Sequence, residues 1–357
     1  MTDVDPRRAR DTDGILRAPT RIRTLTLLAA SCAALLAGGC GGGESDNAGD
    51  QPAAAQQRAM LNGADTPSRE DFPVPSKGQS LQAFADSIGA TGTQIGLATT
   101  VFTPGENRLA FGVLNDKNAF VYAPSAVYVA RSPGSRRVLG PYLAPADLLV
   151  TETAFRSQQA ATEGDPFAAV YQADAVALAS PGTWTVLVVS KVTGRLVAAP
   201  AQITVRKDSP IPAVGERAPA IETDTVASAG SIEAVDTRLP PARDLHDTSL
   251  KDVLGKKPVA LLFATPQLCQ SRTCGPVVDI ALQLREKFGE RVQFIHQEVF
   301  VDNEVGKGLR EPLRRFGLQT EPWLFAIGAD GRVAARLEGS FGLRAFERAL
   351  QTALDRG

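Results

Sequence analysis

The chain of 357 residues has room for two domains of ordinary size, and its 43% apolar and 22% charged residues supply material for more than one core. Its 38 Lys and Arg nearly balance 39 Asp and Glu, for a net charge of −1, and no basic cluster is interleaved with aromatics. Both features speak against nucleic acid as a partner.

At the start, Arg17, Arg21 and Arg23 precede an apolar run over 25–37, then Gly38, Gly39 and Cys40. A basic start, a short apolar core and small residues before a cleavage point make a secretory signal, too short to span a bilayer comfortably. The AGGC ending resembles a bacterial lipobox, departing from it at Ala37, where leucine is usual. That resemblance implies a lipoprotein signal peptide over 1–39, lipid on Cys40, and anchoring at the extracytoplasmic face of the cell membrane. An ordinary cleaved signal and an uncleaved anchor are the alternatives. Residues 40–88, rich in Gly, Ala, Gln, Asp and Pro, read as a disordered tether.

Over 89–206 the texture changes to short runs of β-branched and aromatic residues, separated by PGEN, NDKN, SPGS and SPG. This punctuation predicts an antiparallel β-sandwich. The stretch YQADAVALASPGTWTVLVV resembles the last hairpin of Ig-like modules in bacterial envelope proteins, a likeness that carries no activity. No cysteine lies here, so no core disulfide is possible, and Trp184 reads as a core residue. A structural or partner-docking module is the expectation.

Residues 207–357 form the second domain. Up to Asp247 there are five prolines and no aromatic, which reads as a linker and extended lead-in. Beyond it, PVALLFA is a continuous apolar run suited to a strand buried on both faces. GPVVDIALQLREKFG sets Val277, Ile280, Ala281, Leu284 and Phe288 on one helical face. RVQFIHQEVF predicts a strand, GLREPLRRFG a short helix, EPWLFAIG with RVAARLEG a hairpin, and LRAFERALQTAL a closing helix.

This β-α-β-α-β-β-α order, with VGERAPAIETD ahead of it, resembles the thioredoxin-like superfamily, in particular its TlpA-like and peroxiredoxin-like members. The fold class expected is therefore multidomain: an N-terminal all-β Ig-like sandwich, then an α/β thioredoxin-like domain. The resemblance implies a cis-proline at Pro322 facing the thiols, Glu321 packed beside them, Trp323 walling the groove, and Gly339 beside the site. Cys274-Gly-Pro matches the start of the family's CGPC motif, but Val277 stands at the second cysteine position and the partner, Cys269, lies upstream.

Cys32 would leave with the signal and Cys40 would carry lipid, so Cys269 and Cys274 are left to pair as a disulfide in an oxidising compartment. A cysteine at a helix N-terminus is favoured as thiolate, which points to Cys274 as the nucleophile. Glu321 is either a proton acceptor for the pair or a solvated rim carboxylate. The expected activity is thiol–disulfide exchange on exported protein thiols or with an envelope redox partner, through Cys269, Cys274, Glu321, Pro322 and Trp323, with no cofactor. The C-x4-C spacing also resembles atypical peroxiredoxins, but Thr265 is one residue too far from Cys269 and no arginine stands near Thr320. A binding module with a structural disulfide is the third reading. Sco-type copper chaperones use two cysteines and a histidine, yet the only histidines, His246 and His296, lie away from EPWLF. No metal site is expected, and His296 reads as a core or rim residue.

Overall fold

The structure is a computed structural model and describes residues 61, 63–89, 92–165 and 167–356, which fall in one compact unit over 48–357. The signal peptide, Cys40 and the first part of the tether lie outside the described residues. No helix among those described is long and apolar enough to cross a membrane.

Two four-stranded antiparallel sheets come first. One has the order β1 (Thr93–Leu97), β2 (Gly105–Asn115), β6 (Ala169–Leu178), β5 (Ala146–Leu148). The other has β4 (Leu139–Leu143), β3 (Ser125–Ala130), β7 (Gly182–Val192), β8 (Arg195–Val205). Phe111 and Tyr171 from the first meet Val127, Trp184 and Ile203 from the second in one core. Trp184 is buried there, and its indole N–H donates to Ser180 O at 2.9 Å.

The fold departs from the sequence expectation in two places. The YQADAVALASPGTWTVLVV stretch is not a hairpin: β6 pairs with β2 and β5, whereas β7 pairs with β3 and β8, so the Ser180-Pro181 turn carries the chain from one sheet to the other. The β7–β8 register runs unbroken from Gly182↔Val205 to Val192↔Arg195, and that long pairing takes the edge of β7 that β6 would need. From Leu61 onward the tether expectation also fails. Helix α1 (Leu81–Ile88) starts where Ser80 accepts from Ala83 N–H and stops at Gly89 in the left-handed region. It buries Leu81 and Phe84 against Tyr128, Leu187 and Val189. The spacing of Leu81, Phe84, Ala85 and Ile88 is the helical signal that the polar composition around it masked.

The third sheet has the order β10 (Gln293–Gln297), β9 (Val259–Phe263), β11 (Trp323–Ile327), β12 (Val333–Glu338). β9 and β10 are parallel, and the other pairings are antiparallel. Helices α2 (Cys274–Phe288), α3 (Glu311–Arg315) and α4 (Leu343–Leu354) complete the expected β-α-β-α-β-β-α order. All five residues of β9 are buried, as its apolar run requires, and Val277, Ile280, Ala281, Leu284 and Phe288 are buried together on α2.

The lead-in is no linker. Val235, Asp236, Thr237, Arg238, Leu245 and His246 are all buried. Pattern reading missed them because polar hydrogen bonds, not apolar periodicity, hold the segment in place. Arg238 donates from Nε to Asp279 Oδ1 at 2.9 Å and from Nη2 to Phe155 O at 2.7 Å. Asp279 on α2 also accepts from Ser157 N–H and Oγ–H, at 3.1 and 3.0 Å. Burial pushes the Asp279 carboxyl up, with the Arg238 charge opposing it.

Polar contacts likewise join the two-sheet body to the third sheet. Thr100 Oγ1 and Val101 N–H donate to the two Glu338 carboxylate oxygens at 2.6 and 2.9 Å. Arg108 of β2 donates to Glu338 O at 2.7 Å and Ser340 O at 2.6 Å. Burial lowers its pKa to about 10, so the guanidinium stays charged at neutral pH. Gly342, at the start of α4, has no side chain to cap the helix; Asp147 from β5 accepts instead from Arg344 N–H and Ala345 N–H, at 3.0 and 2.8 Å.

Candidate functional site

β9 ends at Phe263, and the chain then turns through 264–273 before α2 begins at Cys274. Cys269 lies in this turn and its N–H donates to Thr265 O at 3.1 Å. Both cysteines are free thiols, so the structure presents the dithiol state rather than the expected disulfide.

Their environments differ sharply. Cys274 is wholly buried and Cys269 is 8% exposed. The Cys269 thiol is lowered to about 6, chiefly by a hydrogen bond from the Cys274 side chain, and further by the Ser271 hydroxyl and the Cys274 and Thr273 amides; burial opposes this. Ser271 Oγ stands 3.2 Å from the Cys269 sulfur. The Cys274 thiol is pushed well above its ordinary value, first by burial and then by the hydrogen bond and charge of Cys269. These directions favour Cys269 as the thiolate, whereas the sequence pointed to Cys274. The helix start does favour a thiolate, but its free amides serve the sulfur in the preceding loop. The side chain of Cys274 itself turns into the core.

The Glu321–Pro322 peptide bond is cis. Glu321 is half-buried, and its carboxyl is raised by burial and by the Cys269 charge, which places it within electrostatic reach of the thiolate. Trp323 is elsewhere. It is 1% exposed, stacks on Phe325 at 5.8 Å in the core on the opposite face of the sheet, and donates from its indole N–H to Thr320 Oγ1 at 3.0 Å. The first residue of β11 alternates away from the cysteines, so Trp323 does not wall the groove beside them.

Beside the loop that carries Cys269 lies a cavity of about 440 Å³, lined by Gln270 to Thr273 but by neither cysteine. Ser271, Arg272 and Glu321 border it on one side, and Leu97, Leu114 and Phe120 of the two-sheet body on the other. Gly339 lies at its edge, where a Cβ would stand 1.7 Å from Ala98 O. The body therefore covers the face of the third sheet on which the thiolate sits.

The structure also gathers three residues that pattern reading kept apart. Asp236, His246 and His296 are all buried, with ligating atoms within 4.8 Å of one another. His296 Nδ1 is 3.2 Å from His246 Nε2, and His296 Nε2 is 3.0 Å from Ala264 O. Burial lowers the His246 pKa, while hydrogen bonding and the histidine charges hold Asp236 below the usual carboxylate range against its own burial. No sequence spacing signals this cluster, since its members come from the lead-in and from β10.

No family model matches the chain, and no curated protein matches it. Among solved structures, a chain described as a thiol:disulfide interchange protein, DsbE, from Chlorobium tepidum is 17% identical, with 40% of this chain and 99% of that one covered and a TM-score of 0.30. The endo-beta-1,4-mannanase from Thermotoga petrophila is 11% identical over 32% of this chain and 20% of its own, with a TM-score of 0.18. The PKD domain of the human VPS10 domain-containing receptor SorCS2 is 15% identical over 34% of this chain and 76% of its own, with a TM-score of 0.17.

Proposed function

We propose that the chain is a thioredoxin-like thiol–disulfide oxidoreductase, held at the extracytoplasmic face of the membrane by lipid on Cys40. The observation that carries the chemistry is the asymmetry of the two sulfurs, with Cys269 lowered to about 6 and Cys274 buried and protonated behind it. In the reducing direction, the Cys269 thiolate attacks one sulfur of a substrate disulfide. That S–S bond breaks, one substrate thiolate leaves, and a mixed disulfide forms on Cys269. Cys274 then gives up its proton, to Glu321 or to the departing thiolate, and attacks the Cys269 sulfur. The second substrate thiol leaves, and the pair is oxidised by the two electrons that the substrate gained. The oxidising direction is the same path reversed. The cavity suits an extended cysteine-bearing segment of an exported protein better than a folded surface, because the two-sheet body stands over the site.

A stabilised thiolate favours the dithiol form, so the pair's potential is expected to lie above about −300 mV, the region of inert structural disulfides. Equilibration with glutathione or dithiothreitol buffers measures it. A disulfide that resists dithiothreitol until the domain unfolds would leave only the binding-module reading. Hydrogen peroxide turnover with thiol reductants is expected to be negligible, because the arginine that atypical peroxiredoxins carry is missing near Thr320.

The anchoring rests on the AGGC run. Cys40→Ala is expected to shift the protein from the membrane fraction to the soluble one, whereas an unmodified Cys40 in membrane-fractionated wild type would refute lipidation.

A further inference from the structure

Beside the loop that carries Cys269, the Asp236–His246–His296 cluster has the geometry of a cation site. The spacings are 3.2 Å between His246 Nε2 and His296 Nδ1, 3.4 Å between His246 Nε2 and Asp236 Oδ2, and 3.7 Å between His296 Nδ1 and Asp236 Oδ1. Donors on one face of a tetrahedral ion with bonds near 2.0–2.1 Å stand about 3.3 Å apart. The lead-in and β10 therefore bring two imidazole nitrogens and the two oxygens of one carboxylate to nearly that spacing, all at 0% side-chain exposure.

The surrounding hydrogen bonds fix which atoms point inward. A carbonyl only accepts, so the 3.0 Å contact to Ala264 O puts the His296 proton on Nε2 and leaves the Nδ1 lone pair facing the cluster. Asp236 is oriented by Arg238 N–H to Oδ1 at 2.8 Å and Ala242 N–H to Oδ2 at 2.6 Å. His246 Nδ1 is buried with no hydrogen-bond partner among the described residues, so ligation through Nε2 would place the ring proton on Nδ1 at the cost of one unpaired buried N–H. The nearby guanidinium of Arg238 is committed to Asp279 and to the carbonyls of Pro240 and Phe155, so it does not offset the Asp236 charge.

We propose that Asp236, His246 and His296 form a binding site for a first-row divalent cation of the zinc type. Imidazole with carboxylate suits such ions, whereas a thiolate set would be needed to select Cu(I). Three protein donors leave one tetrahedral position for a non-protein ligand. The ion would brace the redox loop. Thr237, next to Asp236, accepts from Gln267 N–H at 3.2 Å and donates to Glu298 Oε1 at 2.7 Å, and Ala264 opens the turn that reaches Cys269. Neither sulfur is a donor, so the site stands apart from the thiol chemistry.

The test uses the full chain stripped of metal with a chelator and titrated with Co²⁺ alone, then with Zn²⁺ alone. The expected result is one equivalent bound, with visible d–d bands of low-coordinate Co²⁺, no thiolate-to-cobalt charge-transfer band, and displacement by Zn²⁺. Asp236→Asn and His296→Asn are expected to weaken binding at least about 100-fold, beyond the 10–100-fold typical of outer partners. Should either variant misfold, His246→Gln and the wild-type spectrum decide the matter. Absence of stoichiometric binding to the wild type, a thiolate band, or unchanged affinity in folded variants would each overturn the site.

Discussion

Cys274→Ser is expected to accumulate substrates as mixed disulfides on Cys269, whereas Cys269→Ser is expected to trap nothing and to lose exchange entirely. The difference follows from the sulfurs' positions. Cys269 is lowered to about 6 and keeps 8% exposure, while Cys274 is fully buried with its thiol pushed well above the ordinary value. Removing the resolving thiol stops the reaction after its first step; removing the attacking thiolate stops it before.

The sign of the pH dependence is fixed by the same asymmetry. At pH 7 a thiol of pKa about 6 is roughly nine-tenths thiolate, against about 3% for an ordinary cysteine near 8.5. That roughly 30-fold gain is mostly cancelled at pH 7, because a Brønsted slope of about 0.4–0.5 makes the weaker base an order of magnitude less nucleophilic. Near pH 5 the ordinary thiol is about 3000-fold protonated and Cys269 only about 10-fold, so the advantage reappears there. Alkylation of reduced protein by a small neutral reagent should therefore rise with a midpoint near pH 6. Cys274→Ala, which removes the largest source of thiolate stabilisation, should move that midpoint upward, and Cys274→Ser, which keeps a hydroxyl donor, should move it less. Trapping through Cys274 rather than Cys269, or a midpoint above pH 8 in the wild type, would defeat the assignment.

Gly339→Ala is expected to be among the most destabilising single-methyl additions in the molecule. The residue has φ +67°, and an added Cβ would stand 1.7 Å from Ala98 O and 2.8 Å from its carbonyl carbon. A left-handed L-residue costs about 1–2 kcal/mol, and overpacking adds about 1–3, for a loss of roughly 2–5 kcal/mol. Part of that strain can be relieved only by moving β1 and its neighbours away from the third sheet, against the grip of Arg108, Thr100 and Val101 on 338–340. Cys269 should then alkylate faster, because the cover over the cavity beside its loop has lifted. Gly306→Ala is the control: its Cβ would meet nothing within 4 Å, and its effect should be near zero. Denaturant titration and alkylation rates on both variants read the two consequences. If Gly339→Ala matched the control in both, the two-sheet body would not be packed over the redox face.

Some of this was legible in the residues themselves. The apolar run of β9, the one-sided apolar spacing of α2 and α4, and the Gly/Pro punctuation of the strand-rich region are signals carried within a few residues, and they produce the elements seen. The cysteines could be marked for the same reason, since a strand, a turn and a Gly-Pro helix start follow one another directly. Even locally, the spacing in SLQAFADSIG shows that a helix can hide in a polar stretch when composition is weighed ahead of period.

Which strand joins which sheet was not legible, because β6 and β7 are compatible with one hairpin or two sheets until their outer partners are placed. The lead-in looked like a linker because Arg238 and His246 are held by partners 41 to 83 residues away, a separation that leaves no periodic trace. The identity of the thiolate was decided in the same way. Sequence places Cys274 at a helix start and Cys269 in the loop before it, but the hydrogen bond between the sulfurs, burial and two amide N–H bonds bias which one ionises, and all are properties of the packed chain. Local pattern determined the elements; desolvation and long-range hydrogen bonding, which exist only after packing, determined what the site's atoms can do.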